Sequence, residues 1–360
     1  MKYLYTLFLL IAACSCAGNG VLPAPEDIPV VLQPGVTTAS ISIADSRSVV
    51  NGIGTAADEI STVGIYIARA SDNTTYPGTL DAGSIFTAPQ VNGQPWTTTS
   101  PVYVNTIEGR LYAWSPSTVS ATPGITGGAP TIPVAIAASQ TFDGGNTYGC
   151  SVADYMYGAA GGAIGNTDAI LVSRTASTPA IHLQHALAQV VFTMENAADR
   201  PAEPDYDYVW SVACSGKETA DKHFYTAPSK TMSLADGSIA GKTAARTLTF
   251  KCSANPQRSG PAGSPAVVAY GLVIPKAATT GIEYTMIISM GNAANTDKRT
   301  YLASVGAAFS AVWQAGYRYT YNLKLSKKGV TIDKVTISDW EEANGGTEID
   351  GGSMSPETGG

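Results

Sequence analysis

Tyr317-Arg318-Tyr319-Thr320-Tyr321-Asn322-Leu323-Lys324-Leu325 alternates bulky apolar and polar side chains without a break. Successive side chains of a β-strand point to opposite faces, so this stretch lays one face on a core and turns the other to water. A helix would scatter the same residues around its circumference. After a Lys327-Lys328-Gly329 turn, Val330-Thr331-Ile332 and Val335-Thr336-Ile337 repeat the pattern. Shorter versions precede it at Tyr284 to Met290, Val267 to Ile274, Val102-Tyr103-Val104, Val63 to Ile67 and Ser40 to Ile43, separated by Gly, Pro, Asn and Asp. Helical periodicity rarely lasts more than a turn or two. Ala303 to Ala311 is the one place where a short helix is expected. Many short strands with frequent turn signals predict an all-β protein of sandwich type.

Composition agrees. Charged residues are 14% of the 360-residue chain, against about 25% in ordinary soluble domains. Gly, Ser, Thr and Ala are abundant, as suits an extended extracellular β-protein. The net charge of -7 and the lack of any Lys/Arg cluster exclude a nucleic-acid partner, which needs a concentrated basic face. The length exceeds what one core usually serves, so two domains are expected. The polar stretch Asn166 to Pro179 is the expected junction, dividing the body into residues 37–178 and 179–340.

The first residues carry an address. Lys2 and the apolar run Leu4 to Ala13 form a signal peptide, residues 1–13, too short for a stable membrane-spanning helix. Leu10-Ile11-Ala12-Ala13-Cys14 resembles a bacterial lipobox, in which the thiol of the cysteine is acylated, so Cys14 is the expected lipid anchor. Cys16 fits that pattern less well, and an ordinary secretory signal ending near Ala17 is the alternative. Residues 14–36, with Pro23, Pro25, Pro29 and Pro34, read as an extended tether. Residues 341–360 are a Gly-rich acidic tail. Of the remaining cysteines, Cys214 and Cys252 are either a disulfide pair or buried free thiols.

Candidate chemistry is sparse. His182 and His185 are three apart, and in a strand such residues face opposite ways, so one metal ion could not hold both. The glycine-rich run Gly158 to Gly165 lacks the order and the strand-to-helix setting of a phosphate loop. Glu203, Asp205 and Asp207 could gather calcium, but they lack EF-hand spacing. No G-x-S-x-G elbow occurs, and three histidines give little general-base capacity. Trp96, Tyr103, Tyr112 and Trp114 are expected in core and turn packing rather than in a sugar-stacking platform. Hence no enzyme, metal or cofactor is expected.

Several motifs resemble, in order, those of the fimbrillins, the FimA-type and Mfa-like surface proteins of Bacteroides-class bacteria. They are Tyr112-Ala113-Trp114-Ser115-Pro116, Asp154-Tyr155-Met156-Tyr157-Gly158 and Leu183-Gln184-His185-Ala186-Leu187-Ala188-Gln189-Val190-Val191-Phe192. Thr231 to Ile239 follows, then Trp313-Gln314-Ala315-Gly316-Tyr317-Arg318-Tyr319 and Ile337-Ser338-Asp339-Trp340. The resemblance implies two tandem transthyretin-like Greek-key β-sandwich domains in a structural or adhesive fimbrial subunit. It further implies export as a lipoprotein to the outer membrane through lipid on Cys14, and proteolysis after a basic residue near the first strand. Loss of that strand opens a groove filled by a strand from another fimbrial subunit. Arg47 is then the expected cleavage site, with Arg69 a poor second, and the displaced strand would carry Ile41 and Ile43. The donor strand would carry Val330, Ile332, Val335 and Ile337, leaving the tail slack; otherwise the subunit does not donate, since the tail offers only Ile349 and Met354 as sizeable apolar anchors. The alternative function is a non-polymerising surface lipoprotein whose partner is a host glycan or protein receptor.

Overall fold

A computed structural model describes residues 60–340, apart from 78–79, 81, 88–95, 101, 126, 144–149, 201–202, 204–205, 277–282, 297 and 307–312. It also describes the backbone of 28–29 and 347–350. Cys14, Ile41, Ile43 and Arg47 lie outside the described residues.

Among the described residues the protein is all-β, without a helix. One sheet contains β2 (Thr62–Arg69), β3 (Ser84–Thr87), β5 (Gly109–Ser115), β8 (Met156–Ala159), β9 (Ile170–Val172) and β10 (His182–His185), in the order β10-β8-β5-β2-β3 with β9 on β5. Its partner contains β6 (Thr131–Ile136), β13 (Phe224–Ser233), β14 (Ile239–Ala240) and β15 (Thr243–Ala245). Between them lie Tyr66, Tyr112, Trp114, Ile132, Val134, Ile136, Ala227 and Met232. Because the larger sheet has a second core on its other face, β2 is buried without interruption from Val63 to Ala68. Val63, Ile65 and Ile67 pack on that outer side with Phe86, Trp96 and Tyr76. A strand covered on both faces needs apolar residues at every position, and alternation disappears. Trp114 packs so close to β2 that a Cβ at Gly64 would lie 2.1 Å from its ring. Burying an indole removes on the order of 200 Å² from water, an upper limit of roughly 5 kcal/mol. A two-stranded ribbon of β1 (Ile28–Pro29) and β4 (Tyr103–Val104) accompanies this sandwich.

The second sandwich faces two larger sheets. The first runs β18 (Ala266–Val273), β11 (Ala188–Asn196), β21 (Tyr317–Ser326), β22 (Gly329–Asp339) and β23 (Thr347–Asp350). The other runs β20 (Lys298–Val305), β19 (Tyr284–Gly291), β12 (Tyr208–Gly216), β16 (Thr247–Cys252) and β7 (Ser139–Phe142), with β17 (Gln257–Arg258) on β12. Tyr319, Tyr321, Leu323 and Leu325 point into the core, as the alternation in β21 requires.

Three differences from expectation have physical causes. Ala303 to Val305 lie in β20 and pair with Tyr284 to Met286, so the expected helix is absent from its described part. Ala303 and Val305 alternate into the core, and cross-strand pairing outweighs the helix propensity of alanine. Cys214 and Cys252 are free thiols buried in the second core, not a disulfide. Strands on either side of residue 178 also share sheets. β7 pairs in parallel with β16, and β13 pairs with β6. Asn166 to Pro179 contains β9, bonded to β5. The two sandwiches are therefore interlaced rather than two consecutive lengths of chain.

Candidate assembly site

For a protein made of sheets, the sites at which copies could meet are edges and the joints that carry them. The joint between the two sandwiches is built from the sequence motifs. Asp154 leads into β8 and His185 ends β10. His185 Nδ1 lies 3.0 Å from one oxygen of Asp154 and 3.1 Å from the other. The imidazole stacks on Trp340, the residue after β22, with centroids 4.1 Å apart and planes at 11°. Trp340 is 2% exposed and packs with Ala186, Leu187, Leu272 and Ile274. Its N–H donates to the Gly316 carbonyl at 3.0 Å. Its own carbonyl accepts from Arg318 Nη2 at 3.0 Å, while Arg318 Nε donates to Gln189 Oε1 at 2.6 Å. Arg318 sits in β21 and Gln189 in β11, so Trp340 touches both sandwiches at once. Gly237 carries φ +68° and lies against Tyr157, where a Cβ would meet the ring at 2.6 Å. The glycine-rich segment folds over the joint. Gly165 N–H donates to Gln184 Oε1, Gln184 Nε2 donates to the Gly161 carbonyl, and Ile164 covers Gly316. Five separated motifs thus meet at one place.

The candidate donor residues are integral to their own sheet. Val330, Ile332 and Val335 are 1 to 3% exposed in the second core, and Ile337 packs against it. β22 is bonded to β21 along its length and, from Lys334 to Ile337, to β23. The tail that looks slack in sequence places Thr347–Asp350 as an antiparallel strand on the β22 edge.

The two flanks of this sandwich differ. On one, Gln140 of β7 is 1% exposed and reaches the free side of β18, where its amide donates to the Leu272 carbonyl and accepts from the Leu272 N–H at 3.1 Å. Gly271 makes room, for a Cβ there would lie 2.3 Å from Phe250 and 2.8 Å from Gln140 Oε1. On the other flank, β20 pairs with β19 alone among the described strands, and β22 faces it across the core. The first sandwich blocks its β6 edge as well. Pro133 has no N–H, Ala135 N–H donates to Tyr155 Oη, and Thr131 is bridged to Thr122.

Some of the groups considered for chemistry have structural partners. Asp207 is fully buried and accepts from Arg200 Nη1 at 2.6 Å, from Arg258 Nη2 at 3.4 Å and from the Glu203 N–H at 3.0 Å. Its charge is already met by guanidinium groups. Asp205 lies outside the described residues. Burial pushes the Cys150 thiol up to about 11 and that of Cys214 higher, the direction opposite to an activated nucleophile. Trp96, Tyr112 and Trp114 are buried, as core packing demands, and Tyr103 is half-buried. Asp154, Arg318 and Gln189 went unassigned in the sequence although they sit inside or beside quoted motifs. Nothing in spacing alone reveals that residues so far apart meet.

The fold recurs in a proposed cell adhesion protein from Bacteroides uniformis, 14% identical, with a TM-score of 0.51 over 88% of this chain and 99% of that one. A fimbrial protein from Bacteroides vulgatus is 11% identical and aligns with a TM-score of 0.49 over 77% of this chain and 92% of its own. The fimbrial anchor protein Mfa2 from Porphyromonas gingivalis, also 11% identical, gives 0.36 over 81% and 90%. No curated protein matches the sequence significantly. The profile of the fimbrillin-like family matches residues 47–340, nearly the whole described body. The chain therefore belongs to the fimbrillin-like family.

Proposed function

We propose that this protein is a structural or adhesive subunit of cell-surface fimbriae, exported as a lipoprotein anchored through Cys14 in the outer membrane. Proteolysis after Arg47 frees the segment containing Ile41 and Ile43, and a strand from another subunit takes its place. The observation that carries the reading is the family match over 47–340, which begins at the proposed cleavage residue and leaves the lipobox and tether outside. Strand addition suits a protein of this build, because an unpaired edge is a template for another strand.

β22 stays in its own sheet in this reading. Withdrawing it would expose Val330, Ile332 and Val335, at about 2 kcal/mol for each buried aliphatic side chain. A strand given to a neighbour comes instead from the tail beyond Trp340. The buried core face of β22 and the sparsely apolar tail also favour a second reading, a surface adhesin that binds a host glycan or protein and does not donate.

Treatment of the purified full chain with a trace of Arg-specific protease tests the proposal. A new N-terminus at Ser48 together with particles larger than monomer is the expected result. A chain that is cut there and stays monomeric supports the non-donating adhesin. One that resists cutting there removes Arg47 from the scheme.

A further inference from the structure

We propose that the Asp154–His185–Trp340–Arg318 cluster is a tension clamp that delivers pull on the C-terminal tail to both sandwiches, sparing β22 from being peeled off its sheet. The inference rests on the reading above, in which the tail beyond Trp340 joins one subunit to the next.

The geometry sets the order in which contacts break. The last rung of the β21–β22 ladder pairs Tyr317 with Asp339, and Trp340 follows directly. Without a clamp, pull entering at residue 341 falls on that rung alone. Each rung then fails in turn, a sequence resisted at any moment by one or two hydrogen bonds of modest net strength. Trp340 changes this. Its indole is enclosed, its ring lies on His185, and both its backbone groups are bonded, to Gly316 and to Arg318. Pull on the tail must extract the indole and break those two bonds in one event before it reaches the first rung. A buried aromatic surface of this size is the largest contact one residue can offer against extraction.

The clamp is itself tied to two bodies. His185 is held by Asp154 in the strand layer of the first sandwich. Arg318 is held by Gln189 on β11, the strand beside β21 in the second. Gly316, with φ +78°, donates its N–H to the Leu187 carbonyl at the crossover between the sandwiches. Force entering at Trp340 therefore spreads into sheets on both sides of the joint. The indole Nε1 has no hydrogen-bond partner among the described residues, so stacking and burial hold the ring.

Single-molecule pulling of the full chain in two geometries tests this. One handle is placed at Ile125, an 88% exposed position in the first sandwich. The second is placed either at the tail end, Gly360, or at Lys328 in the β21–β22 turn, far from the joint. In the tail geometry β23 leaves the β22 edge first, and His185→Ala is expected to lower the force of the rupture that follows it while leaving the rupture force in the turn geometry unchanged. Arg318→Lys, which keeps the charge but cannot bridge Gln189 and the Trp340 carbonyl together, is expected to show the same pattern with a smaller fall. Equal falls in both geometries would reduce the cluster to general stabilisation and overturn the clamp; so would no fall in either. Should His185→Ala fail to fold, His185→Phe keeps the stacked ring without the Asp154 bond and carries the same expectation. Fibre assembly by wild-type chains is scored separately. Its failure counts against tail exchange, whereas the rupture forces judge the clamp.

Discussion

The β18 flank and the β22 flank of the second sandwich end in the same kind of exposed ladder, and they are closed by different means. At β18, the buried amide of Gln140 satisfies both backbone groups of Leu272. At β22, four residues of the tail add a short strand over Lys334 to Ile337. The first closure is enclosed in the core and depends on a glycine at 271. The second involves the end of the described chain and covers only part of the edge. A side-chain closure cannot be exchanged for another strand without emptying a core, while a strand closure can be replaced by a like strand at little net cost. The contrast assigns permanence to one flank and replaceability to the other.

Gly271→Val would break the sealed flank most severely. Its Cβ would run into Phe250 and the Gln140 amide. Overpacking of that kind should cost about 3 kcal/mol in urea unfolding. Gln140→Leu fills similar space but orphans the Leu272 N–H and carbonyl, and should cost roughly 2 kcal/mol by the same measurement. Deleting residues 341–360 tests the other side. It removes a few edge hydrogen bonds and should cost about 1 kcal/mol or less, while increasing self-association in light scattering as the β22 edge is bared. If the deletion destabilised as much as Gln140→Leu, the two flanks would be equally integral and the contrast would fail.

The smallest effect concerns Cys150, bridged to Phe142 of β7 beside the sealed flank. Desolvation lifts its thiol from an ordinary 9.0 to about 11. The folded thiol therefore keeps its proton after the unfolded one has lost it. Its contribution to stability is complete below about pH 9 and is lost as pH rises towards 11. Iodoacetamide should alkylate Cys150 much more slowly in the native chain than in urea at pH 9, and tail deletion should leave that rate unchanged. Acceleration by the deletion would show that the flanks open together.

Much of the fold is legible along the chain wherever a strand has one wet face. The alternation of β21 reads directly into Tyr319, Tyr321, Leu323 and Leu325 facing the core. Where both faces are covered, the signal fades. β2 reads as a strand, but nothing in Val63 to Ala68 says that one side meets Trp114 and the other Phe86. Arg318 sits on the face of β21 that alternation assigns to water, yet it is 9% exposed because the joint closes over it. Of the proposed site, the motifs were visible as a resemblance and their convergence was not. Asp154, His185, Arg318 and Trp340 span much of the sequence, and only loop closure over those distances brings them together.

Local chemistry by itself determined the β class and the turn positions, because each rests on neighbouring residues and a fixed strand period. Tertiary structure alone decided which strands share a sheet, which edges are sealed, and that Trp340 is fastened to two sandwiches. Those outcomes depend on contacts between distant segments, where volume, hydrogen-bond geometry and enclosure select one pairing among many that the same alternation permits.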